Sequence, residues 1–461
     1  MKMKRYLCFS LVLCFLQMTM SSCESFLEEK PEANLTTPQN LMDLRSLLDD
    51  ESIINRSFPG LMEMGTDDYY LDYTDWASRP AYEKSIYCWQ PVAMTTTDNV
   101  STFWTNPYRV ISTANIVLES LERLGLSATE EGQKLAGEAY FIRGYMHFSL
   151  AQIYAMDEDT DSGPMGIPIR RSSDIDIKTV RSSVAETYNT ILEDLETATR
   201  LLPESTDYLT RADRTAAFAA LSRIYLFRGD YDSALRYAEK VLEKRNILLD
   251  YNSIDVNSKN PFPVKSNPEI LYFGISSSAS SLLAVTRSNV DSLLYRSFEN
   301  DDLRKQAFFT KKREKVFTFK GFYSGAEVSF FYGLALDEVY LNKAECLVRL
   351  QKVNEGLSVL NKLLENRYKQ GSFVHYTDLG YLDALKIILT ERRKEMCRRG
   401  VRWSDLRRLN ADFEFRKKLK RSIVQANGSA EEFVLDPDSK SSVFFIPDEV
   451  ISRTGIVQNP Q

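Results

Sequence analysis

Between Asp67 and Trp104 lie Tyr69, Tyr70, Tyr73, Trp76, Tyr82, Tyr87, Trp89 and Trp104, separated by acidic and small polar residues. The flat rings of Trp and Tyr stack on the apolar faces of a ligand, and carboxylate, amide and guanidinium groups bind its polar groups. Trp76, Tyr70 and Tyr73, with Asp67, Asp68 and Arg79 beside them, have the chemistry of a shallow ligand-binding platform. The competing use of the same rings is burial, since aromatic side chains gain most from leaving water. The segment has neither a sustained helical period nor β-branched runs, so it reads as a long loop over 67–104. Asn289, Tyr295 and Tyr323 are weaker candidates further along the chain.

Three other stretches invite chemistry. Between Arg392 and Arg421 there are 13 basic and four acidic residues. That composition suits either a nucleic-acid patch or an ion-pair clamp at the end of a helical bundle, and the clamp is the reading adopted. Glu395 precedes Arg398 and Arg399 by three and four residues, which predicts charge pairs along one helix that stops at Gly400. Asp157 to Gly163 alternates carboxylates like the start of a calcium loop, but Ser162 and Pro168 occupy the positions that need Gly and Glu. The expectation is therefore no metal site.

Catalysis has little to work with. His147 and His375 are the only histidines, which argues against a histidine-dependent hydrolase or a multi-histidine metal centre. No nucleophile elbow, phosphate loop or H-E-x-x-H occurs. Asp67-Asp68 and Asp301-Asp302 are neighbours in sequence, which does not place two carboxylates across a cleft. We expect no enzyme and no cofactor.

The elements that must position these residues are helical. Thr215 to Asn246 reads as two helices turning at Gly229-Asp230, with Ala217, Ala220, Ala234 and Ala238 letting the backbones approach. Phe218, Leu221, Tyr225, Gly229 and Ala234 fall on the positions of a tetratricopeptide (TPR) unit. Leu336 to Arg367 repeats the pattern through Tyr340, Ala344, Leu347, Gly356 and Leu360. With helices at 103–121, 135–155 and 184–202, this predicts a mostly α, TPR-like scaffold of about four helical pairs. A short amphipathic helix precedes it at 38–50, and Asp250 to Val328 interrupts it as an irregular insertion. Short strands are expected at Ile270–Phe273 and Val316–Phe319.

Residues 1–22 have a basic head (Lys2, Lys4, Arg5) and an apolar run too short to span a bilayer, ending in Ser21-Ser22-Cys23. This resembles a bacterial lipoprotein signal, cleaved before Cys23 with lipid added to its thiol. Residues 23–37 then form a lipidated tether, and the acidic cluster after Cys23 resembles an export tag for surface lipoproteins. The whole chain carries −6, and removal of three basic residues with the signal makes the remainder more acidic. Nothing in that balance draws it to nucleic acid. Cys88, Cys346 and Cys397 remain, so at most one internal disulfide is available, and Cys346 and Cys397 sit on apolar helix faces.

A resemblance joins these pieces. Glu391-Arg392-Arg393-Lys394-Glu395, Gly400, Arg402-Trp403 and Asp405-Leu406-Arg407-Arg408 resemble the signature of the SusD/RagB family of outer-membrane nutrient-binding lipoproteins. Ile446-Pro447, Glu449-Val450-Ile451 and Gln458-Asn459-Pro460 resemble its C-terminal motif, without the usual Gly-Tyr after Asn-Pro. Ala136–Ala155, Gly163–Ile169, and Trp104, Tyr108 and Asn115 fit as well. The resemblance implies one SusD-like domain over 38–461: a helical part (38–249), the insertion (250–328), and a C-terminal hairpin, basic helix and tail (329–461). It implies a cell-surface lipoprotein that binds oligosaccharide, or in some members peptide, and delivers it to a SusC-like TonB-dependent β-barrel transporter. A TPR interaction scaffold is the alternative. The binding residues differ between family members, so none transfers by motif.

Overall fold

The computed structural model describes residues 37–91, 102–157, 165–276, 281–327 and 329–460. The signal, Cys23, nearly all of the tether, part of the aromatic segment and most of the calcium-like loop lie outside them. Five short helices come first: α1 (Leu41–Leu48), α2 (Glu51–Ile54), α3 (Leu61–Met64), α4 (Tyr73–Ala77) and α5 (Ala81–Tyr87). The scaffold follows as α6 (Thr102–Arg123), α7 (Glu130–Tyr154), α8 (Val184–Leu201), α9 (Arg214–Phe227) and α10 (Tyr231–Lys244). The insertion carries the short helices α11 (Ser292–Ser297) and α12 (Arg304–Phe308). The scaffold then resumes as α13 (Leu336–Arg349), α14 (Val353–Glu365) and α15 (Tyr381–Glu395). Each of α7 to α10 packs on its predecessor, α13 packs on α10, and α14 and α15 both pack on α13. This is the expected helical-hairpin scaffold.

The α9–α10 hairpin shows why the sequence folds this way. Ala217, Ala220, Ala234 and Ala238 are all fully buried between the helices. Ser222 Oγ donates to the Ala234 carbonyl at 3.0 Å, which only close backbones permit. Gly229 takes φ +75° at the turn, and the Asp230 carboxylate caps α10 by accepting from Ser233 N at 3.0 Å. In the second hairpin Gly356 fills the corresponding close approach: a Cβ there would lie 2.8 Å from the Ala344 carbonyl oxygen.

Antiparallel two-stranded ribbons decorate the helices. They pair β1 (Tyr69–Tyr70) with β3 (Asn289–Val290), β2 (Ile270–Tyr272) with β6 (Leu334–Ala335), β4 (Phe309–Arg313) with β5 (Val316–Phe319), and β7 (Leu419–Val424) with β8 (Ala430–Leu435). Strands at 270–272 and 316–319 match expectation.

The aromatic segment does not. It is built of β1, α4 and α5, and Trp104 belongs to α6. Helices α4 and α5 are too short to show a period, and each is held by tertiary contact rather than by propensity. Tyr69, Tyr87, Trp89 and Trp104 are buried.

The basic stretch is also rearranged. Helix α15 ends at Glu395 and α16 (Arg402–Asn410) starts afresh, so Glu395 never meets Arg398 and Arg399 along one helix. Glu395 instead binds Arg304 at 3.0 Å and Arg367 at 2.8 Å, while Arg399 reaches Asp337 at 2.8 Å. Arg304, Arg367, Lys394, Asp302, Glu391 and Glu395 are all buried. The clamp reading of this stretch agrees with what is seen. Cys88, Cys346 and Cys397 are free and buried.

Candidate functional site

Pro80 starts α5, and α4 is a turn and a half preceded by Asp72. Asp72 makes no capping bond to α4; its carboxylate is held by Arg313 of β4 at 2.7 Å. Tyr73 and Trp76, three residues apart, share one face of α4 with ring centroids 6.2 Å apart. Lys84 Nζ of α5 stands 5.5 Å from the Trp76 ring. Both rings rest partly on the core and leave the remainder in solvent. Tyr70, half-buried, pairs with Asn289 across the β1–β3 ribbon.

Arg79 closes this region against the insertion. Its Nη1 donates to Ser281 Oγ at 2.7 Å, and Ser281 Oγ and N donate in turn to the buried Glu83 carboxylate at 2.6 and 3.1 Å. The face that results carries Tyr73, Trp76, Arg79 and Lys84, flanked by the Asp72–Arg313 pair. Half-exposed rings with fixed polar neighbours are the composition of a shallow recognition surface.

Asp67 and Asp68 take a different direction. Asp67 pairs with Arg402 at 2.7 Å, Lys417 at 2.6 Å and Arg393 at 3.3 Å. Burial works to raise its carboxyl, but Arg402 and Arg393 outweigh that and hold it well below the usual carboxylate range. Asp68 is buried on Arg393 at 3.0 Å. Both carboxylates serve the clamp, so the structure separates them from the rings of α4. Among the weaker candidates, Tyr323 is a core residue whose hydroxyl donates to Glu269 at 2.9 Å. Asn289 is buried, and its Oδ1 accepts from Lys312 at 3.0 Å. Tyr295 is half-buried and stacked on Phe317, with centroids 3.7 Å apart.

Lys84, Asp72, Arg313 and Ser281 were missed from sequence. One signal was available: in FFTKKREKVFTF the apolar ends, Phe308-Phe309 and Val316-Phe317, flank the charged run from Lys311 to Lys315. That is a hairpin pattern, and its turn brings Arg313 back to Asp72.

The clamp also holds an unusual carboxyl. Glu63 is fully buried, accepts from Gly400 N at 2.7 Å, and has its other oxygen unpaired. Burial pushes it up to about 7, against the pull of Arg398. A carboxyl raised in the folded state stabilises less as pH climbs from its unfolded value through its folded one. Glu63→Gln should therefore flatten the stability loss between about pH 5 and pH 8 by roughly 1–3 kcal/mol. Urea unfolding at the two pH values measures it; equal losses in both proteins would refute a neutral buried Glu63.

A concavity of about 390 Å³ lies between α6 and α17 (Asp448–Thr454), walled by Trp104 and Tyr108. Several of its polar groups already serve the protein: Tyr108 donates to the Pro168 carbonyl at 2.8 Å, and Ser172 Oγ and Ser173 N donate to Glu119 at 2.7 and 2.9 Å. The α4 face is the better candidate. Asp157, the one described residue of the stretch from Asp157 to Gly163, pairs with Arg407 at 2.7 Å.

Known proteins share this fold. Residues 25–226 match a SusD-like family described as starch-binding and associating with the outer membrane, and residues 334–461 match the SusD family. A 145-residue stretch is 28% identical to "SusD-like protein P2" of Formosa agariphila, covering 31% of this chain and 27% of that relative. Among solved structures, a putative sugar binding protein from Bacteroides vulgatus superposes with TM-score 0.73 at 22% identity, covering 92% of this chain and 99% of the other. A SusD superfamily protein from Bacteroides thetaiotaomicron gives 0.72 at 21% identity, covering 92% and 100%. At these identities the structural likeness establishes the fold.

Proposed function

This chain belongs to the SusD/RagB family, and from that premise we propose that it is a carbohydrate-binding nutrient lipoprotein of the outer membrane. Its ligand site is the face of α4 and α5. The observation that carries this reading is the pair Tyr73 and Trp76, partly exposed side by side at 6.2 Å while the neighbouring Tyr69, Tyr87 and Trp89 are buried. Rings kept partly in water on a rigid helix lose contact area that burial would have gained, and sugar stacking recovers it. The family is one of binding proteins, and we assign no bond-breaking step to this chain.

Around that site we place the rest of the apparatus. Cys23 carries the lipid, the protein faces the cell exterior, and the ligand passes to a SusC-like TonB-dependent transporter. The domain organisation expected from sequence, one SusD-like domain over 38–461, belongs to the same proposal. Mild-detergent capture of the lipoprotein should recover a large β-barrel with it; recovery alone would remove the transporter from the scheme.

Trp76→Ala should weaken polysaccharide binding about tenfold or more, the loss of a central aromatic contact. Affinity electrophoresis across a polysaccharide panel reads this directly. Full affinity retained by a folded variant would place the site elsewhere.

A further inference from the structure

Resting on the saccharide-binding reading of the α4 face, we propose that its ligand is an anionic saccharide, one bearing carboxylate or sulfate groups. The chain is acidic overall, at −6, yet the β4–β5 turn reads Lys311-Lys312-Arg313-Glu314-Lys315. This hairpin is anchored to the ring-bearing face at two points. Arg313 reaches Asp72, the residue before Tyr73, at 2.7 Å. Lys312 Nζ donates at 3.0 Å to Asn289, the residue paired with Tyr70.

The register distributes the charges beside rings. Lys311 sits opposite Phe317, the ring on which Tyr295 stacks. On the other side Lys84 stands over Trp76 at 5.5 Å. Arg79 and Arg287 both donate to Ser281, at 2.7 and 3.3 Å.

Of the acidic groups of the same region, Asp72 is taken by Arg313 and Glu83 is held by Ser281. Asp75 and Glu314 remain beside the turn, fewer than the cations Lys84, Lys311, Lys312 and Lys315. Among the described residues, Lys84, Lys311 and Lys315 form no ion pair. Unpaired cations beside stacking rings attract an anion that also has a flat apolar face. Neutral sugar hydroxyls would make no such demand. A uronate or a sulfated sugar meets both requirements.

The full mature chain would be run by affinity electrophoresis against polygalacturonate, carrageenan, dextran and laminarin at about 50 and 500 mM NaCl. We expect retardation by polygalacturonate, carrageenan or both, weakened about tenfold at the higher salt. Polygalacturonate alone would identify carboxylate as the recognised group, and carrageenan alone would identify sulfate. Lys311→Gln with Lys315→Asn, the latter tolerant of φ +60° at this turn, should reduce the low-salt affinity about fivefold. Lys84→Gln is the independent second variant, for use if the turn fails to fold. Salt-independent binding of only dextran or laminarin overturns the anionic class and leaves the saccharide reading standing. Unaltered binding of the anionic polymers by Trp76→Ala reduces the effect to charge alone and overturns the proposal. Retardation by none of the four overturns the saccharide reading as well.

Discussion

Arg304→Ala is expected to lower the unfolding free energy by roughly 3–5 kcal/mol, the range for breaking a buried ion pair by removing one partner. The guanidinium is fully buried and touches three carboxylates: Asp302 at 2.7 Å, Glu391 at 2.5 Å and Glu395 at 3.0 Å. Among the described residues, truncation leaves these facing Lys394 and Arg367. Arg367 is already committed to Glu269 at 2.7 Å and to the Leu249 carbonyl at 2.8 Å. Repulsion among the remaining carboxylates is then relieved by taking up protons, so the variant should lose least at acidic pH. Urea unfolding followed by tryptophan fluorescence is the measurement, with Arg453→Ala, at the largely exposed pair with Glu449, as a control expected to change little. A loss at Arg304 no larger than the control's would mean that the network contributes nothing to holding the insertion on α15.

Trp403→Ala should cost about 3–5 kcal/mol, the range for deleting a large buried ring. Trp403 is 1% exposed, its Nε1 donates to the Ser442 carbonyl at 3.1 Å, and its ring lies 5.2 Å from that of Phe444. The fit on the other side is made by a glycine: a Cβ at Gly65 would lie 2.7 Å from the indole. One side chain thus joins α16, the C-terminal tail and the loop that leads into β1. Because Asp67 and Tyr69 follow closely after Gly65, the cavity should also loosen the approach to the ring-bearing face. Saccharide affinity should therefore fall with stability in Trp403→Ala but without it in Trp76→Ala. Identical behaviour of the two variants would show that the tail and the binding face are not mechanically joined.

The arginine-rich stretch shows why sequence reading was partial. Its composition correctly suggested a clamp, but pairing by i,i+3 and i,i+4 spacing assigned Glu395 the wrong partners. Local spacing governs pairs only while one helix continues, and here the chain leaves the helix after Glu395, with Arg398 at φ +60° and Gly400 at φ +74°. The true partners, Arg304 and Arg367, lie 91 and 28 residues away. The β7–β8 hairpin was invisible for a related reason. Its inward positions include Arg421, which lies 3.7 Å from the Tyr87 ring and donates to the Thr66 and Tyr69 carbonyls. A buried arginine removes the apolar alternation by which a strand is recognised.

In the aromatic segment, residue type put Trp76, Tyr70, Tyr73 and Arg79 together with Asp67 and Asp68 as candidates and could not separate them. All of these residues carry groups able to bind a sugar, and only the position of Arg393 and Arg402 decides which carboxylates remain available.

The helical scaffold, by contrast, is written in the chain itself, because small residues at helical spacing and a turn glycine act on neighbours within about 30 residues. Lineage was legible too, since its motifs are short and contiguous. What tertiary structure alone decided was which rings stay partly in water, which charges cancel, and that Lys84 stands beside Trp76. Those outcomes depend on contacts between segments far apart in the chain, 241 residues for Arg313 with Asp72 and 202 for Arg79 with Ser281, and no local pattern encodes them.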